Sequence, residues 1–375
     1  MTPKARWLAA LRLEPLDRLP FWPKLGPAYL QARPSAARPR DLPALHRWIG
    51  SDRHEWIAAP YREIRKRTRL DCKNDGQIAV WTYQTPTAVL KAVQHFDRDS
   101  QAWHPVEFPI QTGQDLAVMT ECFADLGVEF DSARWEETRR QYAEFGSEAL
   151  VCDVIGESPL MNFVEHLAGV ENAHFLLADY PAEVEALFAD MHKVLCRIAQ
   201  IVADKSVADA TYMIENTSTT LISPEQYRRY CYPHLLEYAR ILQAAGKPMI
   251  LHMCGHLKQL LPMLAELPVQ AFEAFTSPPL GNTTLLDGRT ACPDKCLIGG
   301  TNAMLWLEPA EKIVARIRED LDALPHHRGI AVTSAGMMPP ACEPETIRAV
   351  REAVAAYPAR WSADDGQNQA RASHA

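Results

Sequence analysis

From about residue 149 the chain repeats one pattern, a short apolar run that ends in polar or glycine residues and gives way to an amphipathic stretch. The runs are ALVCDVIG (149–156), ATYMIENTS (210–218), PMILHMCG (248–255), VQAFEAF (269–275), CLIGGTNA (296–303) and GIAVTSAG (329–336). Runs of this length alternating with helix-periodic segments predict parallel strands joined by crossover helices. The helices carry their own punctuation. In ISPEQYRRYCYPHLLEYARILQAAGK (222–247), Ser223 suits the N-cap, Pro224 the first helical position and Gly246 the left-handed stop, while Pro233 marks a kink. Helices are also predicted over 180–205, 256–267, 307–324 and 342–357, where Leu, Ile, Val and Phe at helical spacing read as core.

The first 145 residues fit less cleanly. RLPFWPKL (18–25) predicts the first barrel strand, and TRLDCKNDGQIAVWTYQTP (68–86) predicts a hairpin turning at Lys73-Asn74-Asp75-Gly76. The expected fold is therefore an α/β (β/α)8 TIM barrel with an amino-terminal β-hairpin insertion that frames its mouth. One domain is expected over 1–361, followed by a polar, disordered tail over 362–375.

With 375 residues, 47% of them hydrophobic, the chain can bury a large core. The net charge of -8 comes from interleaved acids and bases with no basic stripe, so nucleic acid is not an expected partner. No segment approaches twenty uncharged apolar residues and the start has no long apolar run, so no membrane span is expected and a cytoplasmic location is. Nine cysteines argue against a disulfide framework. Cys72, Cys122, Cys152, Cys196 and Cys231 read as small buried apolar residues, and Cys292 and Cys296 match no strong ligand motif.

In a barrel of parallel strands, reactive side chains come from the carboxyl ends of strands and the loops after them. Those ends carry Glu215, His252 with Cys254, Glu273, Asn302 and Ser334. His252 and Cys254 are two apart, so on an extended strand both leave the same face, and Cys342 follows the last strand. Two thiolates and one imidazole form a zinc set, and three protein ligands leave one position open. Glu215 and Glu273 are costly to bury unpaired, which makes them candidate catalytic groups with Asn302, or a resting fourth ligand. Gly299 and Gly300 either let a ligand approach the backbone or simply end a strand tightly; with Ser334 they are candidate cofactor-binding positions. His326 and His327, at the opposite end of the barrel, read as solvated surface.

These residues resemble the uroporphyrinogen decarboxylase superfamily, and within it the zinc-dependent cobamide methyltransferases. The likeness runs through DRLPF near the start, Thr85-Pro86, VEFPIQTGQDL (106–116), ISPEQYRRYCYPHL, AAGKPMILHMCGH, LIGGTN and SAGMMPPACEPETIRAV. The resemblance implies that His252, Cys254 and Cys342 hold Zn2+, and that a methyl group moves between a corrinoid and a small thiol or methoxylated compound. The decarboxylases carry an arginine-rich segment where this chain has FWPKLGPAYL (21–30), which disfavours porphyrinogen decarboxylation. There is no DxHxxG-type cobamide motif either, so the corrinoid would arrive on a separate protein or free, and a separate corrinoid protein is expected. A homodimer is compatible with all of this. Two rivals stand beside it: a metal-independent decarboxylase or lyase using Glu215 and Glu273 as acid-base groups, and a barrel that only binds a tetrapyrrole or corrinoid.

Overall fold

The computed structural model describes residues 1–32, 41–98 and 102–362. After the helix Pro3–Leu11 come the first two barrel strands, β1 (Phe21–Trp22) and β2 (Arg53–Trp56). An excursion follows, comprising β3 (Tyr61–Ile64), β4 (Arg69–Asn74), β5 (Ile78–Gln84), β6 (Val89–Asp97), β7 (Ala102–Glu107) and β8 (Gly127–Phe130). Six strands then alternate with helices: β9 (Ala149–Gly156), β10 (Ala210–Ile214), β11 (Met249–His252), β12 (Ala271–Phe275), β13 (Cys296–Gly299) and β14 (Ile330–Thr333). Eight strands pair in parallel in the order β1-β14-β13-β12-β11-β10-β9-β2, a nearly closed (β/α)8 barrel as the strand pattern predicts.

β1 and β2 meet through Asp52. Its backbone N–H donates to the Phe21 carbonyl at 2.8 Å, and its carboxylate accepts from the Phe21 N–H at 3.0 Å. Arg6 and Arg18 both donate to the same carboxylate, which is fully buried. Trp7, on the helix Pro3–Leu11, reaches into the barrel's inner cluster beside Trp22 and closes its lower end.

Strand period sorts the side chains. On β10, Ala210, Tyr212 and Ile214 point into the barrel while Met213 packs outward on the helices. The same alternation sends Ile250 inward and Met249 and Leu251 outward on β11, and Ala271 inward and Phe272 outward on β12. His252 and Glu273 inherit the inward parity.

The predicted hairpin exists, with its turn at Asp75-Gly76, but it is half of a four-stranded antiparallel sheet, β4-β5-β6-β7. That sheet packs on the helix Gly113–Ala124, which packs on Pro181–Lys205, and none of its described residues lines the mouth cavity. The expectation that the hairpin frames the mouth is thus corrected: its apolar face is used on the outer helices. The predicted kink at Pro233 is a π-helical turn, Tyr227–Cys231, immediately before the helix Tyr232–Ala244, where the missing proline N–H falls in the first turn. The predicted helix over 256–267 is α-helical only at Leu261–Glu266.

His327 is fully buried, bonded to the Leu321 carbonyl and the Arg360 N–H, so it pins the end of the chain rather than facing solvent. Cys72 is exposed on an outer-sheet strand and Cys196 is half-buried, whereas Cys122, Cys152 and Cys231 are buried as expected. The predicted tail lies, from residue 363 on, outside the described residues. Among the described residues, no helix is long and apolar enough to cross a membrane.

Candidate active site at the barrel mouth

Inward parity delivers His252 and Glu273 side by side, since the two are register partners across β11 and β12. Glu273 is 1% exposed, and both its oxygens are used: Lys24 Nζ donates to Oε1 at 3.0 Å, and His252 Nδ1 bonds Oε2. Burial alone would favour the neutral acid, but Lys24 and His252 hold its pKa low. For His252, burial opposes protonation while the charge of Glu273 and the ring's hydrogen bonds to Cys254 and Glu273 outweigh it and raise the pKa. Lys24, just past β1, is placed by Ser334, whose Oγ accepts from the Lys24 N–H at 3.2 Å and donates to the Gly336 carbonyl at 2.5 Å. Ser334 therefore positions Lys24.

Cys254 lies beyond the end of β11, exposed, with its thiol 3.6 Å from Asn216 Oδ1. Cys342 is buried in the loop after β14, where Tyr29 donates to its carbonyl at 2.5 Å and its Sγ lies 3.8 Å from the Glu343 carbonyl. Among the described residues, three or more ligand atoms converge within 4.8 Å in two places, His192/Cys196/Glu237 and Glu157/Glu165/His166, so the predicted trio is not drawn to that spacing. Its chemistry nonetheless fits a zinc ion. An imidazole held through Nδ1 by a buried carboxylate would offer Nε2 as a ligand once an ion displaces its proton, with a thiol two residues on.

Glu215 does not join them. By parity it faces outward, and it is fully buried between the barrel wall and the helices, accepting from Ser158 N at 2.7 Å and Cys231 Sγ at 3.2 Å. Burial raises its pKa to about 7, against the bonds from Ser158 and Cys231. Asn302 is occupied as an N-cap, accepting from Leu305 N and donating to Ser277 Oγ and the Pro278 carbonyl, each at 3.1 Å. Gly299 and Gly300 have packing reasons: a Cβ on Gly299 would sit 2.4 Å from the Phe275 carbonyl, and Gly300 has φ +88°.

A cavity of about 440 Å³ opens over this pair, walled by Trp22, His54, Trp56 and Tyr212. A larger cavity, about 620 Å³, lies between outer helices near His174 and Arg229, and none of the candidates lines it. Lys24 and these rings were not singled out from the sequence, although the parity of FWPK and HEW places Trp22, His54 and Trp56 where aromatic walls form. The acidic group beside Asn216 was also missed. Glu165 accepts from Asn216 Nδ2 at 3.0 Å, and burial together with the charges of Glu165 and Glu215 pushes the Glu157 pKa up to about 10.

Over 94% of its length the chain superposes on 98% of a methyltransferase from Methanosarcina mazei, with a TM-score of 0.58 at 16% identity. A glycoside hydrolase family 5 enzyme from Prevotella bryantii B14 is aligned over 80% of this chain and 95% of its own, with a TM-score of 0.37 and 13% identity. No curated protein matches the chain. The family model for uroporphyrinogen decarboxylase (URO-D) matches residues 154–357, which span the end of β9 and all of β10 to β14, with His252 and Glu273 on their strands and Cys254 and Cys342 in the loops after them. The chain belongs to the uroporphyrinogen decarboxylase family.

Proposed function

We propose that the protein is a zinc-dependent methyltransferase that moves a methyl group between a corrinoid carried by another protein and a small thiol or methoxylated compound. The observation that carries this reading is the Lys24–Glu273–His252 chain. A buried carboxylate clamped by a lysine fixes the imidazole by its Nδ1 and turns Nε2 toward the mouth, the arrangement that orients a metal-binding histidine. His252 and Cys254 would hold the ion with Cys342 as third ligand, drawn in from its loop. Glu273 then acts behind His252 rather than on the ion, because both its oxygens are already bonded.

Zinc held there would lower the pKa of a bound thiol or withdraw electron density from a methoxy oxygen. The chain's own residues do the rest: the aromatic walls orient the substrate and exclude water, and Lys24 keeps Glu273 ionised as the partner of His252. Membership of the family and the fold shared with a methyltransferase support the reading. The acid-base alternative loses support because Glu215 faces away from the cavity that Glu273 lines. The test is demethylation of methylcobalamin, and of a methylated corrinoid protein, against a panel of thiols, with the reverse reaction run on methoxy compounds. Transfer that depends on zinc is expected. Inertness throughout, with zinc bound, would sink the proposal.

A further inference from the structure

The mouth cavity holds polar groups that a zinc site does not use. His54, on β2, is 6% exposed, and among the described residues neither of its ring nitrogens has a hydrogen-bond partner. Tyr212, on β10, is 1% exposed, and its hydroxyl is unpartnered in the same sense. Buried polar atoms left unpaired cost folding stability, and phenylalanine would fill Tyr212's place without that cost. Two such side chains in one cavity wall are therefore explained better by a bound molecule than by packing.

The shape of the wall says what kind of molecule. His54 stacks on Trp22 with centroids 4.5 Å apart and planes at 17°, while Tyr212 stands edge-on to His54 at 5.2 Å. Trp56 lies 4.5 Å from His54 and 4.8 Å from Tyr212. Flat apolar walls of this sort favour a flat apolar ligand. A cavity of about 150 Å³ already takes benzene, so about 440 Å³ has room for one substituted ring.

Charge narrows the class further. Lys24 is the one lysine or arginine among the described residues lining the cavity, and its ammonium is committed to Glu273. His252 lines it too, but its ring is bonded to the same carboxylate, so a carboxylate or sulfonate would meet no uncommitted cationic side chain. Burial pushes the His54 pKa down to about 3, so near neutrality its ring supplies one donor and one acceptor without charge.

We infer that Trp22, His54, Trp56 and Tyr212 form a substrate subsite for an uncharged, single-ring aromatic compound bearing a hydroxyl or ether oxygen, which His54 and Tyr212 hydrogen-bond. The inference rests on the methyltransferase reading only for its place beside His252.

Isothermal titration of the zinc-loaded full chain with 2-methoxyphenol, methoxybenzene, 2-mercaptoethanol and 2-mercaptoethanesulfonate reads binding without turnover. The aromatic probes are expected to bind, and Tyr212→Phe and His54→Phe each to weaken 2-methoxyphenol by about tenfold, the loss of one hydrogen bond. Tyr212→Phe should melt no lower than wild type, which a purely structural role for the hydroxyl would not give. Binding of the thiols alone, or unchanged affinity in Tyr212→Phe, overturns the inference. Aromatic binding with no methyl transfer would leave the subsite standing and remove the methyltransferase, and transfer to an anionic thiol without aromatic binding would do the reverse.

Discussion

Glu273 is the residue on which the candidate site turns, because it joins Lys24 on β1's trailing loop to His252 on β11. Glu273→Gln keeps the size and removes the charge that orients His252. Zinc retention against a competing chelator should fall by about tenfold or more, as loss of such a partner commonly does; retention equal to wild type would take Glu273 out of the site. Glu215 predicts a different signature. Its pKa in the folded chain is about 7 against an ordinary 4.5, so as pH rises between those values the unfolded chain releases its proton first. Stability contributed at low pH is therefore lost through that window and levels off above it. Urea unfolding at pH 5 and pH 8 should show a smaller drop in Glu215→Gln than in wild type; an unchanged drop would mean that another group carries it.

At the scale of elements, the seam between β1 and β2 depends on Asp52, which serves two arginines and a backbone N–H from full burial. Removing one member of such a buried group leaves charges unpaired, so Asp52→Ala should cost about 3–5 kcal/mol in denaturant unfolding. A cost within that of an ordinary surface substitution would show that the seam closes without it. Six of the eight barrel strands were legible because each is an apolar run long enough to be seen, and β1 was legible from RLPFW. β2 was not, since RHEW is polar in three of its four positions and its inward-facing His54 packs against rings contributed from β1 and β10 rather than in an apolar run. The site was legible to the same degree. The rule that reactive groups sit at strand ends led to His252 and Glu273, which line the cavity, whereas Cys254 lies past the end of β11 and Glu215 falls on the outward parity of β10, a consequence of Tyr212 and Ile214 facing in. Lys24 could not be read from local pattern at all, because its partner lies 249 positions away.

At the scale of the molecule, the loops at the carboxyl ends of the strands expose large apolar side chains: Trp56 at 44%, Leu280 at 47%, Leu307 at 52% and Met337 at 59%. An apolar rim around a polar-floored cavity suits a docked protein that presents its corrinoid to the site. A methylated corrinoid protein should thus react far faster than free methylcobalamin, and Leu307→Glu should slow the first reaction while sparing the second; equal effects on both would argue against docking at this rim. The methyltransferase reading rests on the metal. Elemental analysis of the purified protein should give about one zinc per chain, and a His252→Ala/Cys254→Ala double variant that unfolds like wild type should lose it. A wild-type chain that takes up no zinc, or a double variant that keeps it, would contradict the zinc site.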